Sequence, residues 1–203
     1  MNIFFLHSRP QLCAIYSMDI HVGKMINECC LMLSIAHYVL DGKEACKYRV
    51  LWPDNPKYHN WTATKWVRTN QKTYQWTIDY LKALCQEYEY RTGKTHMSSR
   101  FINALRALPD RIEKNRHSFL PQMYPAVGKN FSKKYWVPTL KEDGTQLTYE
   151  MPFGSGNIYY DWNTVATYRN YYIYEKSKLK SAGWTKRQPP LWYLNGLKEA
   201  GHV

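Results

Sequence analysis

Residues 18–43 read MDIHVGKMINECCLMLSIAHYVLDGK, and this stretch sets the fold class. Val22, Met25, Ile26, Cys29, Leu33, Ala36 and Leu40 recur at three- and four-residue steps, the period of a half-buried helix. Ser17 or Asp19 stands where a cap belongs, because short oxygen side chains accept the orphan amide protons of a first turn. Asp41-Gly42 stops the pattern. A helix is therefore expected over 18–40.

Working outward, residues 1–10 (MNIFFLHSRP) read as a short extended arm ended by Pro10. Residues 43–60, with Pro53 and Pro56, read as a loop. A second helix is expected over about 62–91, ended by Gly93. Its stripe of Trp66, Thr69, Thr73, Trp76, Tyr80, Leu84 and Tyr88 reads as core rather than as a base-stacking surface. A short helix follows over 99–108. Residues 109–160 are irregular and basic. Within them 135–140 and 145–151 flank an Asp143-Gly144 turn, a hairpin signal. A last helix is expected over 163–181, capped by Asp161 or Asn163 and carrying Arg169, Lys176, Lys178 and Lys180. The tail 184–192 is rich in Pro, Lys and Arg. The sum is a mainly α fold. It is a single-domain helical bundle spanning 1–203, with a small β-hairpin in a basic insertion at about 109–160.

The chain holds 28 Lys and Arg against 16 Asp and Glu, a net charge of +12. Residues 1–90 hold 10 basic and 8 acidic residues, and residues 91–203 hold 18 and 8, so the excess sits in the second half. With 18 Tyr and 8 Trp in so basic a chain, nucleic acid is the leading class of partner, while a solvated basic surface is the plain alternative. The aromatic content argues against disorder. No run approaches the ~20 apolar residues of a membrane span, so no membrane partner is expected. The five cysteines are odd in number and contain no CxxC pair. They read as buried thiols of a reduced, cytoplasmic protein rather than as a zinc or disulfide set. No metal and no cofactor are expected, and the chain is expected to be a monomer.

His21, Lys24 and Glu28 share one face of the first helix. Spacing alone leaves two readings open. Lys24–Glu28 is either an ordinary i,i+4 pair beside a polar His21, or part of a reaction site. In the second half, Lys133-Lys134-Tyr135-Trp136 interleaves charge with rings, as nucleic-acid contacts would. Arg169 either faces the site or pairs with Glu175.

Asp19-x-His21, Glu28 seven residues after that histidine, and the helix end Asp41-Gly42-Lys43 resemble the bacteriophage endonuclease V family of pyrimidine-dimer DNA glycosylases. The exit Arg91-Thr92-Gly93 and the tail Pro190-Leu191-Trp192-Tyr193 resemble it more weakly. This chain looks like a divergent, enlarged relative. The resemblance implies a DNA glycosylase on damaged or modified pyrimidines, with capacity for abasic-site lyase chemistry, in the cytoplasm of the host cell if the source is viral. It implies that the N-terminal amine (Met1 or Asn2) attacks, that Glu28 moves protons and stabilises charge, and that His21 positions the sugar or phosphate. Lys24, Lys186 and Arg187 would bind phosphate.

Two departures stand out. Asn2 in second position leaves the initiator Met in place, where the family removes it to expose its amine. Asn27 and Leu31 stand where the family has DNA-contacting arginines on the first helix. Two alternatives follow. One is a glycosylase-like enzyme acting on a modified base or nucleotide, as a transferase or nucleotide-processing enzyme without lyase chemistry. The other is a non-enzymatic nucleic-acid-binding protein.

Overall fold

The computed structural model describes residues 2–114, 123, 125, 136–150, 158–160 and 163–202. Its architecture is mainly helical. In chain order the helices are α1 (Pro10–Tyr16), α2 (Asp19–Leu40), α3 (Thr62–Val67), α4 (Gln71–Thr92), α5 (Ile102–Leu105), α6 (Thr164–Tyr174) and α7 (Leu191–Glu199). The long pair α2 and α4 packs together, with α1 against α4 and α3 against α2.

The quoted stretch forms α2 as expected, and Val22, Met25, Ile26, Cys29, Leu33 and Ala36 are all buried. Gly42 beyond its end takes φ +91°, a conformation that costs glycine little. The expected capping differs. Met18 is the cap and no side chain caps this helix. The Ser17 hydroxyl instead donates to the Cys13 carbonyl of α1, and the Asp19 carboxylate accepts from Arg91 and Thr185. Ser17 is spent on the last turn of α1, and Asp19 on distant donors from α4 and the tail, so neither reaches the local amides.

The second expected helix is two. α3 ends at Val67, and Asn70 opens α4 with a reciprocal box: Thr73 N–H donates to Asn70 Oδ1 and Asn70 N–H donates to the Thr73 hydroxyl. The stripe is core as read, apart from exposed Thr69 and half-buried Tyr88. Gly93 caps α4 at φ +71°. Pro10 begins α1 rather than ending the arm, since proline suits the first helical position. The helix expected at 99–108 is a 3-10 turn (Met97–Phe101) followed by the single turn of α5. The last helix is capped by Asn163, whose Oδ1 accepts from Ala166 N–H, and it ends at Tyr174 rather than 181. Asp161 lies outside the described residues. α7 departs from the expected Pro-rich tail: Pro190 is the cap of a helix, a position that needs no backbone N–H from it.

The expected hairpin between 135–140 and 145–151 is corrected. Among the described residues those segments meet only in an isolated bridge, Leu140 with Gln146. Residues β1 (Thr148–Glu150) pair instead with β2 (Ile158–Tyr160) in a three-residue antiparallel ladder. A strong Asp-Gly turn fixes the turn but does not choose which downstream segment completes the pairing.

The arm is the largest surprise. Ile3, Phe4, Phe5 and Leu6 are buried within the main hydrophobic cluster, which also takes in residues of α2, α4, α6 and α7. Phe5 stacks on Trp76 with centroids 4.5 Å apart, and the Trp76 indole N–H donates to the Ser8 carbonyl at 2.6 Å. The Cys13 thiol donates to the Phe4 carbonyl at 3.0 Å. The five cysteines are free thiols, four of them buried.

α7 seats on α6 at Gly196. A Cβ there would collide with Ile173 Cδ1 and lie 2.9 Å from its Cγ1. Gly196→Ala is expected to cost about 1–3 kcal/mol by overpacking, read as a lower urea midpoint with an unchanged slope.

Candidate active site

The buried arm delivers residue 2 to α2. The Asn2 backbone N–H lies 2.6 Å from Glu28 Oε2. The Asn2 side chain is fixed as well: its Oδ1 accepts from the Ile3 N–H at 2.9 Å and from the Tyr168 hydroxyl of α6 at 2.6 Å. Glu28 is mostly shielded, with its side chain 15% exposed, and Lys24 Nζ stands 3.7 Å from its other oxygen. Lys24 itself is largely solvated, as a helix-surface lysine should be.

His21 forms the inner wall. Its ring stacks on Phe4 at 4.1 Å, and its Nδ1 shares a 2.5 Å hydrogen bond with the Tyr172 hydroxyl of α6. Full burial pushes the Tyr172 pKa well up, so this hydroxyl stays protonated. Burial lowers the His21 pKa to about 3, with Lys176 and Lys24 adding repulsion. A neutral ring results.

This has a measurable consequence. Between pH 6.5 and about 3 the unfolded chain protonates this histidine while the folded chain does not, so stability falls as pH falls through that window. His37 on the same helix has a lowered pKa through burial and Arg49, and contributes in the same sense. His21→Phe keeps a ring against Phe4 and removes one of these protons. Its loss of stability between pH 7 and pH 4, followed by chemical denaturation, is expected to be smaller than in the unchanged protein. Equal losses would show that His21 is protonated in the folded state.

Lys176 joins the site, although the sequence marked it only as one of several charges on the last expected helix. It follows α6 in a 3-10 turn (Lys176–Lys178). Its Nζ lies 4.9 Å from the Tyr171 ring centroid and 5.8 Å from that of Phe4. Partial burial and the nearby Lys24 lower its pKa. Nothing in its local sequence separates it from Lys178 or Lys180. Only the way α6 runs beside the arm does.

The other candidates scatter. Lys186 Nζ donates to the Tyr90 carbonyl at the end of α4, and Arg187 donates from Nε and Nη2 to both oxygens of buried Glu87 at 2.9 Å. Arg187 also covers the Tyr90 ring at 4.3 Å. These two residues, expected from the resemblance to bind phosphate, tie the tail to α4. Arg169 does not pair with Glu175. Its Nε donates to the Leu6 carbonyl, and Lys178 takes Glu175. Trp136 packs half-buried against the core. Met1, Lys133 and Lys134 lie outside the described residues. Asn27, at a position where the resemblance puts an arginine, accepts from the Ser98 hydroxyl at 2.7 Å.

A tight ionic knot holds the start of α2 beside α4. Arg91 is 4% exposed. It donates to Glu87, to Asp19 and to the carbonyls of Ser17 and Ile15 at 2.7–2.9 Å. The three residues of the sequence match, Asp19, His21 and Glu28, thus divide their work: the first holds the helix, and the other two face the arm.

Among the described residues no helix is long and apolar enough to cross a membrane. Searches of curated proteins and of solved structures found no match. The family model for pyrimidine dimer DNA glycosylase matches residues 1–101. The N-terminal half of this chain, with Asn2, His21, Lys24 and Glu28 in it, belongs to the pyrimidine dimer DNA glycosylase family.

Proposed function

We propose that this protein is a DNA glycosylase with abasic-site lyase activity, acting on damaged or modified pyrimidines. The observation that carries this reading is the 2.6 Å approach of the Asn2 backbone nitrogen to Glu28 Oε2. The nucleophile is the α-amine of the chain's first residue, Met1, or Asn2 after processing. An α-amine has an ordinary pKa near 8, so a useful fraction is neutral at pH 7. It attacks the sugar C1′. The bond from C1′ to the base breaks and the base leaves with a proton; the C1′–O4′ bond then opens, O4′ takes a proton, and an imine forms between C1′ and the amine. Loss of a proton from C2′ then expels the 3′ phosphate by β-elimination.

Glu28 takes the amine's proton and stabilises positive charge growing on the sugar ring. Neutral His21, stacked under Phe4, positions the arm and the sugar edge. Lys24 and Lys176 hold the flanking phosphates, and Lys133, Lys134 and Trp136 extend the contact along the strand. The target nucleotide leaves the base stack to reach such a site.

Borohydride trapping on abasic-site DNA tests this reading. A covalent adduct mapped to the first residue is expected. No adduct, together with unchanged activity in Glu28→Gln, would sink it. A second reading keeps Glu28 but drops the lyase step: a glycosylase-like enzyme acting on a modified base or free nucleotide. It draws support from Asn27, which is spent on Ser98 where the resemblance puts a DNA-contacting arginine. Release of base from free nucleotides, with no adduct on DNA, would select it.

A further inference from the structure

Helix α6 has two occupied faces. One carries Tyr168 and Tyr172, which reach Asn2 and His21. The neighbouring face lines a cleft of about 640 Å³ against α7, with Arg169, Trp192, Asn195 and Glu199 on its walls. Small-molecule sites fall in the range of roughly 300–1,000 Å³. Gly196 and Ile173 also line it, where the two helices approach too closely for a Cβ.

The Arg169 guanidinium in this cleft keeps unspent donors among the described residues. The Arg169 guanidinium is held in place by its Nε bond to the Leu6 carbonyl at 3.1 Å and by the rings of Trp192 and Tyr16, at 5.1 and 6.0 Å. Its remaining N–H groups meet no acceptor or carboxylate among the described residues. The Trp192 indole N–H is buried, with no acceptor among the described residues. The half-exposed Arg169 guanidinium keeps N–H groups for an anionic, acceptor-bearing ligand, and the Trp192 ring beside it supplies an apolar wall. A planar guanidinium matches a phosphate by paired hydrogen bonds. The opposite wall offers complementary chemistry, since the Asn195 amide and Glu199 carboxylate can accept from an amino group.

We propose that the α6–α7 cleft binds one nucleoside monophosphate unit. Its phosphate sits on Arg169, and a base with an exocyclic amine faces Asn195 and Glu199. A free nucleotide and a nucleotide swung out of a DNA strand present the same chemistry. The second source rests on the glycosylase reading, because the strand would reach the cleft from the site on the adjacent face of α6.

Calorimetric titration of the full chain tests it, with three probes: dCMP, dTMP, and a duplex carrying one bulged cytidine. dCMP is expected to bind, dTMP more weakly, and Arg169→Gln to weaken dCMP at least tenfold. If the strand is the source, the bulged duplex shows that tenfold loss instead and dCMP shows no binding. Because Arg169→Gln also releases Leu6, Asn195→Leu serves as a second variant that fills the cleft from an exposed position on α7. It is expected to give the same loss. Unchanged affinity for every probe in both variants overturns the proposal. Trapping on abasic DNA is scored separately. An adduct with no effect of either variant rejects the cleft and keeps the glycosylase, while dCMP binding without any adduct does the reverse.

Discussion

Glu28→Gln is expected to lower the single-turnover rate of base release, and of trapping on abasic DNA, by roughly 10²–10⁴-fold, the usual weight of a positioned acid–base group. Glutamine has nearly the same shape and keeps a carbonyl oxygen for the Asn2 N–H, so the arm stays in place. It cannot take a proton from an amine or balance charge on a sugar. Melting temperature is the control. Glu28 is outside the main hydrophobic cluster, and its pairing with exposed Lys24 is of the kind that contributes about 0–1 kcal/mol. A small shift in melting with a large fall in rate separates chemistry from folding. A rate within twofold of the unchanged protein would remove Glu28 from the mechanism.

Arg91→Leu is expected to have the largest effect on stability. One guanidinium satisfies Glu87, Asp19 and two backbone carbonyls, almost out of contact with water. Deleting one partner of such a buried set leaves charges and carbonyls unmatched, at a cost of about 3–5 kcal/mol. For a chain of this size each kcal/mol lowers the melting temperature by roughly 2–4 °C, so the fall is on the order of 10 °C. Lys178→Ala, which breaks the exposed pair with Glu175, is the comparison, and about 0–1 kcal/mol is expected. Equal effects of the two substitutions would mean that the Arg91 knot adds nothing beyond a surface pair. Loss of Arg91 also frees the first turn of α2, which carries His21. The remaining folded protein is therefore expected to lose activity in proportion to the disorder of that turn.

The parts of this protein that were readable from sequence are those with local causes. The apolar period over 18–40 specifies α2, and the Asp-x-His and Glu28 spacing specifies which side chains share its face. The break at Asn70 was readable too, through Asn-x-x-Thr, but the longer aromatic period concealed it. The same is true of Pro10, whose fixed backbone angle suits a helix start as well as an arm's end.

What tertiary structure alone decided is what meets that face. Residues 3–6 are a short apolar run, and nothing in four hydrophobic residues states whether they hang in solvent or enter a core. Only packing against Trp76, His21 and Tyr168 makes the arm part of the interior and brings Asn2 to Glu28. Lys176 and Arg187 make the same point in opposite directions. As sequence they are interchangeable basic residues of the second half. In the fold one lies over Phe4 beside the site, and the other is spent on Glu87. Sequence determined the long helix and the placing of His21, Lys24 and Glu28 on one of its faces, because both follow from a period of a few residues. The fold decided which of the surplus positive charges lie beside that face, because charge carries no address until distant segments are packed together.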